Sequence, residues 1–481
     1  MIDVNKNKKI IIITIISLIV LTGIYLLYNT YALTTKVTNN DGYYTIELTD
    51  SNIVSLKANE EKTVICQINN TNNGTVSYGV AYNNSNIEVK VYSDSKDKVT
   101  GTIGANDNKY VKLHLKNKTS SNTTVEITAV MGYENGGDLI VPSDSTLVTG
   151  TYTAPISLTK YITNLYANAS KSTVTNNSIT YNYATSESLM NDRLGGTTSS
   201  LDGGNIRYYG ATPNNYVYFN CESYPSTNCE LWRIIGVFDG KIKLIRNSSI
   251  GRYSWDTSAR EVGSGSGVNE WSQADLMKLL NPGHESESVG GSLYYNSKSG
   301  GTCYSGRSNA TISCNFTSKG IKNDTTRNMI AETTWNLGGW NVSNLFSNVM
   351  YEKERGTTTV SNPSDGITRA TTWTGKIALP YPSDYDYATD LSKCSYACRN
   401  NDWMYPILGT SNYGWLLTPS SSSDCYAFYV DSTGSVIHDN PIVCNAYGVA
   451  PVLYLNSNQI IIGGDGSQSN PYQLKDNSIN R

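Results

Sequence analysis

The hydrophobic positions of this chain fall into three regimes. From Tyr44 to Ala129 the apolar residues alternate with polar ones. The runs are Tyr44-Ile46-Leu48, Val64-Cys66-Ile68, Val76-Tyr78-Val80, Ile87-Val89-Val91, Val111-Leu113-Leu115 and Val125-Ile127-Ala129. Period two places every second side chain on one face, so these runs predict short strands with one buried side. Asn73-Gly74 and Asn135-Gly136 supply positive-φ turns between them. Strands of this length and spacing predict an immunoglobulin-like β-sandwich over residues 33–155. Cys66 lies in phase with Val64 and Ile68 and reads as a buried thiol. This stretch has no tryptophan. It therefore lacks the usual stacking platform for sugars, and it reads as a spacer.

Upstream of the alternation the pattern is solidly apolar. The run from Ile10 to Leu27 is broken only by Thr14, Ser17, Thr22 and Gly23, and Lys6, Lys8 and Lys9 precede it. A helix rising ~1.5 Å per residue through this run nearly spans the hydrocarbon core of a bilayer. The lysines would leave the rest of the chain outside. Residues 1–32 are thus expected to be a transmembrane signal anchor, or a signal peptide cleaved after Ala32, in which case the protein is secreted. The length of the run favours the anchor. Either way the bulk of the chain is expected to be extracytoplasmic.

Beyond residue 155 the pattern becomes mixed. Leu158 to Ala169 predicts one helix, with Ile162 and Leu165 on one side, inside a turn-rich connector over 156–200. From residue 201 the alternation returns between helix signals. Leu231–Phe238 and Lys241–Arg246 flank Asp239-Gly240, a strong hairpin signal. Ser272 to Leu280 predicts a short helix ended by Pro282-Gly283, and Asp324 to about Thr334 a second. Strands are expected at Lys376–Leu379, Gly414–Leu417, Tyr426–Val430, Ser435–His438 and Val449–Leu455. All eight tryptophans lie in this part, which reads as an α+β domain over 201–472 followed by a tail, 473–481.

The cysteines sharpen the compartment. Eight of nine lie in the C-terminal part as neighbours in sequence: Cys221/Cys229, Cys303/Cys314, Cys394/Cys398 and Cys425/Cys444. An even, clustered set behind an apolar N-terminus predicts four local disulfides in an oxidising compartment. Cys394/Cys398 requires a turn, because that spacing on a helix is poor disulfide geometry. Lys+Arg 37 against Asp+Glu 40 leaves a net charge of −3, with no basic footprint for nucleic acid. Tyrosine (36) far outnumbers phenylalanine (5). That suits polar recognition surfaces, although AT-rich codon usage produces the same bias.

The order of several blocks adds a resemblance. They are Leu231-Trp232-Arg233-Ile234-Ile235-Gly236, Ser254-Trp255-Asp256, Tyr351-Glu352-Lys353-Glu354-Arg355-Gly356, Trp373-Thr374-Gly375-Lys376-Ile377, Tyr381-Pro382-Ser383-Asp384-Tyr385, Trp415-Leu416-Leu417-Thr418-Pro419 and Gly448-Val449-Ala450-Pro451-Val452-Leu453. Together they resemble an uncharacterised family of exported domains from gut bacteria. That family is similar to the C-type-lectin-like fold shared with formylglycine-generating enzymes. The resemblance covers roughly 201–472. Ala450 stands where the family pattern has arginine, which puts any role of that arginine in doubt. The resemblance implies binding, with the stretch between Pro419 and Gly448 as the variable face. The expected ligand-binding residues are Asp424, Tyr426, Tyr429, His438, Asp439, Asn440 and Asn445, flanking a rim pinned by Cys425–Cys444.

Catalytic constellations are weak by comparison. His114, His284 and His438 sit in unlike contexts, without a nucleophile motif or metal-ligand spacing. Asp384, Asp386 and Asp390 read as turn caps and solvated acids rather than a Ca²⁺ loop. Glu352 and Glu354, two apart on an expected strand, face opposite sides and suit no glycosidase pair, so Glu354-Arg355 reads as a core ion pair. Neither cofactor nor metal is expected. The reading is a multidomain, membrane-anchored surface protein: an N-terminal transmembrane helix, an immunoglobulin-like β-sandwich, then a C-type-lectin-like domain that binds an extracellular glycan or protein. The alternatives are a structural or adhesin-type envelope component without a pocket and, remotely, an oxidase of the formylglycine-generating type.

Overall fold

The computed structural model describes residues 31–40, 43–48, 53–70, 75–91, 100–131, 141, 144–148, 157–194, 203–257, 267–361, 363–410, 413–439, 442–457 and 459–475. The chain divides into two compact units, 1–154 and 155–481. It is mostly β-sheet with few helices. The fold class expected above is corrected on one point: among the described residues no helix is long and apolar enough to cross a membrane. The apolar run 10–27, on which that expectation rested, lies outside the described residues.

In the first unit the alternating runs become two sheets. One orders its strands Tyr43–Leu48, Tyr31–Asn40, Glu61–Asn70, Asn108–Asn117 and Ile87–Val91. The other joins Thr146–Leu147, Val76–Tyr82, Thr123–Met131 and Ile53–Leu56, with Thr100–Ile103 beside Val76–Tyr82. Their inward residues share one core, Val64, Ile68, Leu113 and Leu115 from one sheet meeting Val54, Val80, Val125 and Ile127 from the other. This all-β content fits an immunoglobulin-like sandwich. Cys66 lies in a strand, but its side chain is outside the described set.

The second unit is built on an antiparallel sheet. Its strand order is Ser172–Asn176, Ile179–Ala184, Leu189–Asn191, Ile206–Tyr208, Glu230–Phe238, Lys241–Arg246, Val452–Tyr454 and Ile377–Ala378. Tyr216–Phe219 also pairs with Glu230–Phe238. The Asp239-Gly240 turn has φ 47° and 73°, the left-handed pair that a two-residue hairpin needs. Gly236 sits at a bulge where an added Cβ would meet the Ile206 carbonyl at 2.1 Å. Trp232 is fully buried edge-on to Phe219.

Several expectations change. Residues 157–194, expected as part of a connector, supply three strands of this sheet and the helix Leu158–Asn168. That helix buries Leu158, Ile162 and Tyr166, and Leu165 only partly. The helix expected from Asp324 stops at Met329. Glu352 and Glu354 lie on a helix, Ser347–Glu354, not a strand. Asp384 and Asp386 are buried rather than solvated.

Asp384 belongs to a buried charge network, whereas Asp386 accepts from the Ser347 hydroxyl and the Ala397 N–H. Arg207 donates to Asp192 at 2.7 Å and to Asp384 at 3.1 Å, while Lys243 pairs with the other Asp384 oxygen. Burial alone would raise the Asp384 carboxyl, but Lys243 and Arg207 hold it below its ordinary value. Burial pulls the Lys243 ammonium down to about 8 despite Asp384. Alternating charges of this kind are tolerated inside because each has a partner.

Three of the four expected disulfides are formed: Cys221–Cys229, Cys303–Cys314 and Cys394–Cys398. They indicate an oxidising, extracytoplasmic environment. The fourth is a correction. Cys425 and Cys444 are both thiols here.

Candidate functional site

The stretch between Pro419 and Gly448 leaves the end of the strand Trp415–Pro419 and returns through Ala427–Val430 and Val436–Ile437. Alternation along Ala427–Val430 buries Phe428 and turns Tyr429 half out. Tyr447 comes from a short strand paired with Arg252–Tyr253, and Tyr413 from the segment before Trp415. These separate pieces converge on one aromatic cluster. Tyr447 is its hub, with ring centroids 5.1 Å from Tyr429, 5.7 Å from Tyr413 and 4.6 Å from Trp415. The three tyrosine rings lie within 30–34° of one another.

Trp415 forms the buried floor, its indole N–H donating to the Tyr253 carbonyl at 3.0 Å. The tyrosines are half-buried, and among the described residues none of their three hydroxyls is hydrogen-bonded within the protein. The exposed Arg252 guanidinium stands 5.9 Å from the Tyr413 ring and 6.0 Å from that of Tyr447. Its Nε donates to the Ala446 carbonyl at 3.0 Å. Burial, then the Tyr447 phenol and the Asp431 and Asp439 carboxylates, push the Tyr429 hydroxyl up to about 12. It therefore stays protonated, able to donate and accept, at any physiological pH. Half-buried tyrosines over a rigid indole offer ring faces and hydroxyls together, which is how recognition surfaces gain contact area at small entropy cost.

The other expected residues divide. Asp439 is exposed, and neither its carboxylate nor the Asn445 side chain is hydrogen-bonded within the protein among the described residues. Tyr426 is half-buried at an isolated bridge to Ile442. His438 is committed: its Nδ1 lies 3.4 Å from Ser420 Oγ and its ring 5.8 Å from that of Phe428. Asp424 is also structural, because its carboxylate accepts from the Ser364 N–H at 3.1 Å and from the Ser364 hydroxyl. Asn440 lies outside the described residues.

A polar clamp holds the rim where a disulfide was expected. Buried Asn269 donates its amide to the carbonyls of Ser420 (3.0 Å), Ser423 (2.8 Å) and Tyr426 (2.8 Å). Arg369 donates to the Asn269 side-chain oxygen at 3.0 Å and to the Asp424 carbonyl at 2.9 Å, and it pairs with Asp365. Of the residues that meet here, sequence reasoning singled out Tyr429 but not Tyr413, Tyr447, Arg252 or Asn269. The excess of tyrosine was the available signal, without an indication of which rings meet.

The remaining candidate chemistry stays dispersed. His114 lies in the first unit, 3.2 Å from Glu61. Among the described residues no group of three His, Cys, Asp or Glu side chains could hold a metal ion. No protein-family model, curated protein or solved structure matches the chain.

Proposed function

We propose that this is an extracytoplasmic binding protein in which the second unit carries a C-type-lectin-like recognition face. Its ligand is an extracellular molecule docked on Tyr413, Tyr429 and Tyr447. The observation that carries this reading is the convergence of three half-buried tyrosines, whose hydroxyls have no partner among the described residues, over the buried Trp415. The blocks Trp415–Pro419 and Gly448–Leu453, on which the family resemblance rests most, flank this same stretch. Asp439 and Arg252 add one charge of each sign at the rim, which favours orientation over bulk electrostatic attraction.

The test is a binding screen of the full chain against glycan and extracellular-protein arrays, repeated with Tyr447→Ala. Loss of one ring from an aromatic hub should weaken a true ligand by at least tenfold, about 1.4 kcal/mol or more. A ligand bound equally by wild type and Tyr447→Ala would place recognition elsewhere. Absence of any ligand would favour the structural, adhesin-type alternative.

A further inference from the structure

Cys425 and Cys444 are thiols in a chain that otherwise pairs its neighbouring cysteines. Their two segments meet at a backbone contact. The Val443 N–H donates to the Cys425 carbonyl at 2.9 Å, next to the antiparallel bridge between Tyr426 and Ile442. That register opposes Cys425 to Val443 and sets Cys444 one residue beyond, which for a cross-strand spacing of about 5 Å and a rise of about 3.3 Å per residue puts the two Cα atoms roughly 6 Å apart, inside the disulfide range. Each thiol also sits just upstream of a tyrosine of the face: Cys425 four residues before Tyr429, Cys444 three before Tyr447.

We propose that Cys425 and Cys444 form an oxidation site, a dithiol that closes to a disulfide and locks the Tyr429 segment to the Tyr447 segment. The oxidant is an external disulfide, either a low-molecular-weight one or that of a thiol oxidoreductase. Cys425, half-buried, is the entry point. Its thiolate attacks one sulfur of the external disulfide, forming a mixed disulfide and expelling one thiolate. The buried Cys444 thiolate then attacks the Cys425 sulfur and expels the second. Two protein thiols lose two electrons and two protons, and the external disulfide gains them as two thiols. Burial holds both thiols above their ordinary value. The exchange is accordingly slow at neutral pH and speeds up as pH rises, the behaviour of a structural latch and not of a fast sensor.

The buried clamp explains how the open form survives. Asn269 already fixes the carbonyls of Ser420, Ser423 and Tyr426, so the rim keeps its shape without the covalent bond. Closure removes the remaining freedom between two strands whose rings lie 5.1 Å apart, and pre-ordering a contact surface raises affinity by lowering the ordering cost on binding. That consequence rests on the aromatic face being the binding site, whereas closure itself does not.

The experiment takes the full chain, incubates it with oxidised or reduced glutathione at mildly alkaline pH, blocks free thiols in denaturant and maps the peptides. The expected result is a Cys425–Cys444 linked peptide after oxidised glutathione and two alkylated cysteines after reduced. A Cys444→Ser variant should stop at the mixed disulfide on Cys425. If that variant does not fold, the wild-type map alone decides. Amide hydrogen exchange over 425–430 and 442–448 should slow severalfold on closure. Two alkylated cysteines in both samples, or a lasting glutathione adduct on wild-type Cys425, would overturn the site. A linked peptide with unchanged exchange would overturn the locking of the face. If closure and slowed exchange are seen while Tyr447→Ala leaves ligand binding intact, the latch stands and the binding reading alone fails.

Discussion

Glu354 is completely buried, at the end of the helix Ser347–Glu354, and accepts from the Ser383 N–H at 2.8 Å and the Ser383 hydroxyl at 2.6 Å. Burial outweighs the attraction of Arg355 and pushes its carboxyl from 4.5 up to about 7. A group whose folded value is raised binds its proton more tightly in the folded state. Its stabilisation is complete below the ordinary carboxylate range and is lost as pH rises through about 7. At ~1.4 kcal/mol per pH unit, the displacement amounts to about 3 kcal/mol. Asp386, also raised to about 7 by burial, acts in the same direction. Asp384 is held low, so its stabilisation is lost only at more acidic pH and leaves this window undisturbed. The assay is denaturant unfolding followed by tryptophan fluorescence. All eight tryptophans lie in the second unit, so the signal reports that unit alone. Wild-type stability should fall from about pH 5 to about pH 8, and Glu354→Gln should remove its own share of the fall, the rest belonging to Asp386 and to Asp402, which burial also raises. Equal slopes in the two proteins, or stability that rises with pH, would refute the reasoning.

Other substitutions test other layers. Trp232→Ala removes a fully buried ring packed on Phe219 and should cost about 3–5 kcal/mol in the same assay; a near-neutral result would mean that the strand faces water. Arg207→Ala takes a cation from buried Asp192 and Asp384, the latter keeping Lys243, and should cost about 3–5 kcal/mol. Asn269→Ala takes a donor from three rim carbonyls, of which that of Tyr426 keeps the Ser420 N–H, and should cost about 1–3 kcal/mol. Asp439→Ala, by contrast, should stay within about 0.5 kcal/mol in stability, since its carboxylate is exposed and unpaired among the described residues.

The strands of the first unit were legible because period two is a local signal: Val64, Ile68, Leu113 and Leu115 point inward for the reason their spacing implied. The Asp239-Gly240 hairpin was legible for the same reason, since two residues set the turn. The helix Ser347–Glu354 was not. It buries Ser347, Asn348, Met350 and Glu354, and three of those four are polar, so it carries no apolar stripe at helical spacing. Asp384 and Asp386 misled in the same way. A short acidic cluster normally caps a turn in water. Here the partners of Asp384, Arg207 and Lys243, arrive from strands more than a hundred residues away, and Asp386 is covered by Ser347 and Ala397.

The candidate site shows the same divide between local and distant information. The stretch from Pro419 to Gly448 could be marked because it joins two apolar strands and is rich in small polar residues. Its interior order could not, because Asn269, Arg369 and Ser364 do the holding from outside it. Two of the residues expected to meet a ligand, Asp424 and His438, are consumed by that holding, while the rings that converge come from Tyr413, Tyr429 and Tyr447 on separate segments. A loop fixed at its base by a buried amide and guanidinium can vary at its exposed tips without unfolding, since the tips contribute few buried contacts. In this chain that division runs between Asn269 and Arg369 beneath and the tyrosine hydroxyls above. Changes beneath should move stability first and binding second, and changes above should move binding alone.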